Sequence, residues 1–262
     1  MVPDIAQSVG QSSWRELDFQ MDLERYFQSL ETDEGIEDYL SVDPDTIDVE
    51  EFFQQSNARK SGVLSPSGLY CPRYLYFGKT EMSAVSKVRM DSLILMYCGY
   101  ILGKTFAKLA EAMYGGVAEH CISIPELGVF GHADFVLPHG GDTLVLPRKP
   151  GVSVVEFKTS SANTFQRSPD YYKMQLATYA KGVGADRAYL VVFWMDKRIF
   201  RTIRINIKEW WSKAKARFEL ANKHVELGVP PQLRSDNDHL HCRDCKFKHH
   251  CFPNMKRLLN VR

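Results

Sequence analysis

The sequence has no apolar run long enough to cross a membrane. The stretch Leu93–Leu102 is interrupted at Cys98 and Gly99 and is shorter than the roughly 18 apolar residues that a transmembrane helix needs. The first residues, which include Asp4, also lack the basic and then apolar start of a secretory signal peptide. We therefore expect a cytoplasmic protein with no membrane association.

In a reducing compartment, the six cysteines are not expected to form a disulfide framework. Four of them have the spacing of ligands to a metal or cluster: Cys71, Cys242, Cys245 and Cys251. Four thiolates hold either a tetrahedral zinc ion or an iron–sulfur cluster, and the chemistry of the sulfur alone does not choose between them. Cys98 and Cys121 lie in apolar runs and are predicted to be small buried hydrophobic residues.

The net charge of +1 conceals a strong asymmetry along the chain. Residues 1–57 hold 15 acidic residues against Arg15 and Arg25, a balance of −13, whereas residues 58–262 have a balance of +14. A basic body of this size favours a polyanionic partner such as DNA or RNA. The acidic leader needs a separate explanation.

The leader, residues 1–57, has too many large apolar residues for simple disorder. Leu23, Phe27 and Leu30 are at helical spacing, which predicts a helical segment that docks on the body. One hypothesis is that the leader masks the basic surface or binds a partner protein. The alternative is a solubilising appendage that packs through its aromatic residues.

The remainder of the chain alternates between strand and helix patterns. The predicted elements are a long buried helix over 90–114 with Met96 and Phe106 in the core, strands over 122–124, 129–137, 144–146 and 152–158, a helix over 169–181, strands over 188–195 and 199–205, and a helix over 208–227. This order predicts an α/β fold, a mixed sheet flanked by helices, with the functional site at one edge of the sheet.

Two of the predicted strands carry acidic residues that are suited to metal binding. Glu156 and Lys158 lie two residues apart in one strand and therefore project on the same face. Asp134 lies in the middle of the preceding long strand. Two carboxylates on neighbouring strands are able to hold a hard divalent cation together with water and substrate phosphate. This combination is suited to metal-assisted phosphodiester hydrolysis.

These residues also carry a family resemblance. The segment Gly131-His-Ala-Asp134, followed by Glu156-Phe-Lys158, resembles the core motif of the PD-(D/E)XK nucleases, and within them the RecB-like exonucleases. Gln175 and Tyr179 are similar to the Q-x-x-x-Y helix motif of that family. The resemblance covers residues from about 65 to 255 and implies a restriction-endonuclease-like core.

The resemblance implies a role for each matched residue. Asp134 and Glu156 would bind Mg²⁺ or Mn²⁺, together with the backbone carbonyl of Phe157. Lys158 would orient the attacking water and stabilise the charge that develops on the phosphate. On the helix that follows, the glutamine and tyrosine at 175 and 179 would position the strand or the lysine.

The cysteines extend the same resemblance. Iron–sulfur members of the family have one cysteine before the nuclease core and three after it. This chain has the same arrangement, with Cys71 before the core and three cysteines within 235–255 after it. A [4Fe-4S] cluster is therefore expected rather than zinc. Its role would be structural, because it would tie the C-terminal segment to the start of the body.

The sequence departs from the family at one metal ligand. Many relatives supply a histidine four residues after a glycine of the first long helix, and the helix over 90–114 has no histidine. Glu111, Glu119 and His132 are the candidates to replace it, and the sequence does not choose among them.

Together, these features predict an acidic appendage over 1–57 and a nuclease domain over 58–262. The resemblance implies an exonuclease that acts on single-stranded DNA ends, with 5′-to-3′ polarity by analogy with CRISPR-associated and viral relatives. The expected settings are DNA recombination, replication and repair or CRISPR spacer acquisition. The alternative is a nuclease-like module that binds DNA ends or a protein partner with weak or no cleavage.

Overall fold

A five-stranded sheet forms the centre of the molecule. The computed structural model describes residues 18–30, 62–80, 90–137, 151–161, 169–232, 242 and 245–252. In chain order, the strands are β1 (Val117–Ile124), β2 (Val129–Leu137), β3 (Ser153–Ser160), β4 (Arg187–Trp194) and β5 (Ile199–Arg204). They lie side by side in this same order.

The helices are α1 (Phe19–Leu30), α2 (Pro72–Lys79), α3 (Met90–Tyr114), α4 (Pro169–Val183), α5 (Ile207–Leu227) and α6 (Lys248–Cys251). Two short 3₁₀ turns, Pro66–Gly68 and Pro125–Leu127, lie between them. No helix in the described ranges is both long and apolar enough to cross a membrane. The strand predicted over 144–146 lies outside the described residues.

The sheet is mixed. Strand β3 pairs with β4 in parallel, whereas the other three neighbouring pairs are antiparallel. A parallel pair needs a crossover, and helix α4 lies between β3 and β4 in the chain. The predicted fold class, an α/β fold with a mixed sheet flanked by helices, is confirmed.

Side chains along β3 and β4 alternate between the two faces of the sheet, so the core consists of two layers. Val154, Leu190 and Val192 pack with helices α4 and α5 on one face, where Leu176 and Phe218 are fully buried. The residues between them along the strands pack on the other face against α3 and α1: Val155, Phe157 and Val191. Consecutive residues of the central strands therefore face different helices.

Helix α5 shows how local sequence sets the ends of an element. The Asn206 side chain accepts a hydrogen bond from the Glu209 N–H at 3.2 Å, which caps the first turn. Gly228 ends the helix with a φ of 66°, a left-handed conformation that glycine adopts without the usual steric cost. The boundary predicted from the sequence is correct to within one residue.

Helix α1 belongs to the core. Phe19 is fully buried and its ring makes edge contacts with Phe106, Phe157 and Phe200. The Tyr114 hydroxyl donates a hydrogen bond of 2.8 Å to the buried Asp22 carboxylate. The leader was predicted to be helical and docked, and residues 19–30 are a helix packed on the sheet face opposite Glu156 and Lys158. The remainder of the leader lies outside the described residues.

Helix α3 corrects part of the sequence-based prediction. Its second half, with Phe106, is buried, but Met96 is 50% exposed. The apolar packing of the helix on the sheet begins at Leu102. Gly99 also lies beside Thr159 of β3, but the side chains of Ile94, Leu95 and Met96 on the earlier turns are exposed. Cys98 and Cys121 are exposed, not buried as predicted, because one lies on these earlier turns and the other on the edge strand β1.

The segment before α2 is anchored to the sheet. Leu64 is fully buried and forms a parallel β-bridge with Val129. Its backbone bonds to both Gly128 and Phe130, at 2.8 and 3.0 Å. The chain entering the body is therefore anchored beside β2.

Candidate active site

The two acidic residues meet where strands β2 and β3 separate. The antiparallel pairing of these strands runs from Leu137–Ser153 to Phe135–Val155 and stops there. Asp134 and Glu156 are the next residue on each strand, on opposite sides of the opening cleft. The predicted position at one edge of the sheet is therefore wrong, since these are the second and the central strands of five.

Beyond the last backbone pair of β2 and β3, the Asp134 side chain accepts the hydrogen bond that a backbone carbonyl would otherwise accept. The Phe157 N–H donates to Asp134 Oδ2 at 2.8 Å. Within a strand, the N–H and C=O of one residue face the same neighbour, so the Phe157 carbonyl faces this cleft as well. The cleft thus presents two carboxylates and one carbonyl oxygen.

The two oxygens of the Glu156 carboxylate have different surroundings. Glu156 is 1% exposed. Its Oε1 accepts hydrogen bonds from the Lys158 ammonium and, at 2.9 Å, from Gln175 Nε2. Its Oε2 is buried and has no hydrogen-bond partner among the described residues. A buried acceptor without a donor is unfavourable, and a cation or a proton at this oxygen would relieve it.

Helix α4 supplies the support for this carboxylate. Gln175 Nε2 also donates to the Tyr179 hydroxyl at 2.9 Å, and both side chains are buried. They lie four residues apart on one helical face. A Cβ atom at Gly131 would lie 3.2 Å from the Tyr179 ring and 3.0 Å from Pro66. The glycine of the Gly131–Asp134 segment therefore leaves room for α4 to approach β2.

Lys158 lies between the acidic residues and an aromatic ring. Its ammonium is 5.5 Å from the centre of the Tyr172 ring, an arrangement that favours the charged form of the amine. Tyr172 was not identified from the sequence. Its position three residues before Gln175 on the same helix was the available signal, since residues three apart share a face.

The electrostatics of the site are dominated by burial of like charges. The pKa of Glu156 is raised to about 8, first by burial and then by the charge of Asp134, while Lys158 acts in the opposite direction. Burial also raises the pKa of Asp134, against the lowering effects of Lys158 and of the Phe157 N–H. Near neutral pH the pair therefore retains a proton unless a cation replaces it.

Burial alone would lower the pKa of Lys158. The charges of Glu156 and Asp134 outweigh this effect, so the pKa stands above its ordinary value. The amine is therefore a fixed positive charge within reach of Glu156, suited to stabilising an anion and not to accepting a proton.

The three candidates for an additional metal ligand have different environments. Glu111 Oε1 accepts the Ala118 N–H at 2.7 Å, which ties α3 to β1. His132 is exposed, with its ring 5.4 Å from that of Phe130. Glu119 falls opposite Asp134 in the β1–β2 register, between the pairs on either side of it. Of the three, only the charge of Glu119 acts on Glu156, whose pKa it raises.

The fit to a divalent cation rests on few protein ligands. No group of three or more histidine, cysteine, aspartate or glutamate side chains that could hold a metal ion occurs within the described ranges. Magnesium is commonly bound by one or two carboxylates and otherwise by water and substrate phosphate. Asp134, Glu156 with its unpartnered oxygen, and the Phe157 carbonyl fit such a site.

Three of the four predicted cluster cysteines influence one another. Burial raises the pKa of Cys245, and the charges of Cys71 and Cys251 raise it as well. The Cys245 N–H bonds to the Cys242 carbonyl at 3.3 Å. All four cysteines are half-buried. Their donor type suits a thiolate-bound group, although they do not form a closed ligand set in the described part of the chain.

No protein-family model matches the chain, and no curated protein matches it. Among solved structures, it is similar to SSO0001 at 16% identity and a TM-score of 0.49, over 76% of this chain and 91% of that one. It is also similar to an alkaline exonuclease, LHK-Exo, from Laribacter hongkongensis, at 15% identity and a TM-score of 0.41, over 63% of this chain and 91% of that one. LHK-Exo in complex with dAMP gives a TM-score of 0.42. At these scores, any function has to be supported by the side chains of the site.

Proposed function

We propose that this protein is a metal-dependent deoxyribonuclease of the RecB-like PD-(D/E)XK type, an exonuclease that acts on single-stranded DNA ends. The observation that carries the proposal is the Glu156 carboxylate. It is buried beside Asp134, with one oxygen held by Lys158 and Gln175 and the other without a hydrogen-bond partner in the part of the chain that the structure describes. A carboxylate held in this way is suited to binding a cation.

Asp134, Glu156 and the carbonyl of Phe157 would hold Mg²⁺ or Mn²⁺. When bound, such an ion would supply Lewis-acid chemistry to the phosphate and to the attacking water. The remaining chemistry belongs to the chain. Lys158 orients the attacking water and stabilises the negative charge that develops on the phosphate oxygens. The hydrogen bonds from Gln175 keep the Glu156 carboxylate in place during the reaction.

The finer features of the activity follow from the family resemblance. They are hydrolysis from a free end, 5′-to-3′ polarity, and a setting in DNA recombination, replication, repair or CRISPR spacer acquisition. The charge balance of +14 over residues 58–262 supports a polyanionic substrate. The acidic leader, at −13, is proposed either to compete with DNA for this basic body or to bind a partner protein.

We also propose that Cys71, Cys242, Cys245 and Cys251 hold a [4Fe-4S] cluster, with zinc as the less favoured occupant. The support is the one-plus-three arrangement in the sequence and the mutual electrostatic influence of three of the thiols. The proposed role is structural, because Phe247 packs with Tyr76 and Phe77 of α2 beside Cys245 and Cys251. The cluster would hold this contact together.

A second candidate function is a nuclease-like module that binds DNA ends or a protein partner without cleaving. The observation in its favour is the small number of protein ligands, because no group of three potential metal-binding side chains is found in the described residues. Both candidates predict DNA binding, and only the first predicts hydrolysis.

The deciding experiment incubates the purified protein with end-labelled single-stranded DNA and Mn²⁺ or Mg²⁺. We expect degradation by the parent, and a loss of at least about 10²-fold in rate for Lys158→Ala, because charge stabilisation of this kind is worth that much. DNA binding by the variant should persist. Lys215→Ala, which removes an exposed lysine of α5 that pairs with Glu219, is the matched control and should cleave normally.

The label also reports polarity, since release of the 5′-labelled nucleotide first indicates 5′-to-3′ action. If the parent binds DNA but degrades none of it with either metal, the binding module is the correct function. Equal cleavage rates for the parent and Lys158→Ala would show that Lys158 has no role in catalysis.

A further inference from the structure

The strand register connects the candidate active site to the far edge of the sheet. Lys158 on β3 pairs with Val192 on β4, and Val192 pairs with Arg201 on β5. Paired residues project on the same face of a sheet, so Lys158 and Arg201 belong to one row across it. Since neighbouring strands lie about 4.8 Å apart, the two backbones are about 10 Å apart. This distance corresponds to about three stacked nucleotides at roughly 3.4 Å each.

Trp194 lies on the same face, next to this row. It pairs with Ser160, two residues beyond Lys158. The Arg201 guanidinium and the Lys197 ammonium lie 5.2 and 5.1 Å from the centre of its ring. Its indole N–H is buried and has no acceptor within the described ranges. We call Trp194, Lys197 and Arg201 the Trp194 platform.

No described acidic residue forms an ion pair with the charges of the platform. Lys197 and Arg201 are exposed, and neither forms an ion pair within the described ranges. A similar group on helix α5 differs in this respect. There Lys213 lies 3.8 Å from the Trp210 ring centre but pairs with Glu209 at 2.8 Å. The Trp194 platform therefore keeps its positive charge available to a ligand.

An aromatic ring beside two unneutralised cations is the chemistry that binds single-stranded nucleic acid. Bases of any sequence stack on aromatic rings, and phosphates pair with lysine and arginine. We propose that the Trp194 platform binds the single strand a few nucleotides from the scissile phosphate, with a base against Trp194 and phosphates on Lys197 and Arg201. This inference rests on the proposed function, because it takes the site at Lys158 as the point of cleavage.

The test measures binding without cleavage. Full-length protein in EDTA is titrated against a fluorescein-labelled oligothymidylate at several salt concentrations, with fluorescence anisotropy as the readout. We expect Lys197→Glu with Arg201→Glu to bind about tenfold or more weakly at low salt. The slope of log affinity against log salt should fall by about 1.4, since each single-strand phosphate contact contributes about 0.7.

The matched control is Lys213→Glu with Lys215→Glu, which makes the same change of net charge at two lysines already paired with acidic residues. We expect its affinity to stay within about twofold of the parent and its salt slope to be unchanged. An equal loss of affinity in both double variants would show that the effect depends only on net charge. It would contradict a specific role for the Trp194 platform in binding.

A second pair of variants separates the contribution of base stacking to binding from the contribution of charge. Trp194→Leu keeps apolar bulk without an aromatic face and should weaken binding about tenfold, whereas Trp194→Phe should restore most of the affinity. Circular dichroism and thermal melting confirm that each variant is folded. Parent-like binding by a folded Trp194→Leu variant overturns the stacking role.

The outcomes for the two proposals are distinguishable. If the parent cleaves but Lys197→Glu with Arg201→Glu binds as tightly as the parent, the platform fails and the nuclease stands. If the parent cannot cleave with Mn²⁺ or Mg²⁺, but the platform variant still loses affinity in EDTA, the nuclease fails and the strand-binding surface stands.

Discussion

At the scale of single residues, the candidate site has more negative than positive charge, and the side chains of the site compensate only part of it. We call this excess the charge conflict. The half-buried Asp134 and the fully buried Glu156 are two acids in one cleft, and Lys158 is the positive charge beside them. Burying an uncompensated carboxylate is unfavourable, so the pair retains a proton instead. A divalent cation would supply the missing charge. The site is therefore less stable when empty than a site with neutral side chains would be.

This conflict predicts a pH-dependent stability. Between the ordinary pKa of glutamate, 4.5, and about 8, the unfolded chain releases the Glu156 proton while the folded chain keeps it. Stability therefore falls as pH rises through that window. Glu156→Gln removes this titration. Because a tenfold change in proton binding corresponds to about 1.4 kcal/mol, the variant should melt at least about 3 °C above the parent at pH 8 in EDTA.

Differential scanning calorimetry at pH 5 and pH 8 measures the effect, which should be small at pH 5. Glu219→Gln, at an exposed glutamate of α5, is the control and should show no such pH-dependent gain. Mn²⁺ at pH 8 should raise the melting temperature of the parent and not that of Glu156→Gln. A variant less stable than the parent at pH 8 would contradict the charge conflict.

At the scale of elements, helix α1 protects the edge of the sheet. The Phe19 N–H donates to the Thr202 hydroxyl and the Phe200 N–H donates to Gln20 Oε1, both at 3.1 Å. These bonds connect the start of α1 to β5, the last strand of the sheet. An unprotected edge strand is open to pairing with other chains. The helix therefore contributes both core packing and protection of that edge.

The packing of α1 predicts a large loss of stability on truncation of its first residue. Phe19→Ala should lower the free energy of unfolding by about 3–5 kcal/mol, because the fully buried ring would leave a cavity. Met21→Ala is the matched control on the same helix. Its side chain is 40% exposed, and the change should stay within about 0.5 kcal/mol. Urea titration followed by circular dichroism measures both, and similar midpoints would show that α1 is not part of the core.

Helix α6 depends on its surroundings, because it has only four residues, Lys248–Cys251. If the proposed cluster holds it, Cys245→Ser should lose the bound iron and sulfide and produce insoluble or heat-labile protein. Cys98→Ser, at an exposed cysteine of α3, should retain iron and melt like the parent. Iron and sulfide analysis with thermal melting measures both. A Cys245→Ser protein that is iron-free yet as stable as the parent would rule out the structural role.

At the scale of the whole molecule, the chain separates its charges. The body is basic, and ten of the acidic residues of the leader lie in residues 31–57. Because Phe19 belongs to the core, removing the leader as a whole would also damage the fold. The effect of charge is better tested by substitution than by deletion.

We expect a variant with these ten acids changed to their amides to bind a labelled oligothymidylate more tightly at low salt, since fewer negative charges compete with the DNA. The difference should disappear as salt rises, because screening weakens the competition. Anisotropy titrations of both proteins over a salt series measure it. Equal affinity at every salt concentration would assign residues 31–57 to another role, such as binding a partner protein.

The elements that carry the site were predictable from the sequence because their signals are local. Alternation of side chains predicted the strands of Asp134 and Glu156, helical spacing predicted that Gln175 and Tyr179 share a face, and a terminal glycine predicted the end of α5. Each of these signals depends on a few neighbouring residues and on backbone geometry. None of them requires knowledge of what packs against the element.

The tertiary structure decided where those elements meet. Only the pairing of strands shows that Asp134 and Glu156 meet in the interior of the sheet, that Arg201 shares a row with Lys158, and that Glu119 falls opposite Asp134. The exposure of Met96 was also beyond the sequence, because an apolar helix has the same local pattern whether or not other elements cover all of its faces. Strand order and helix docking depend on contacts between distant parts of the chain, and local patterns do not encode those contacts.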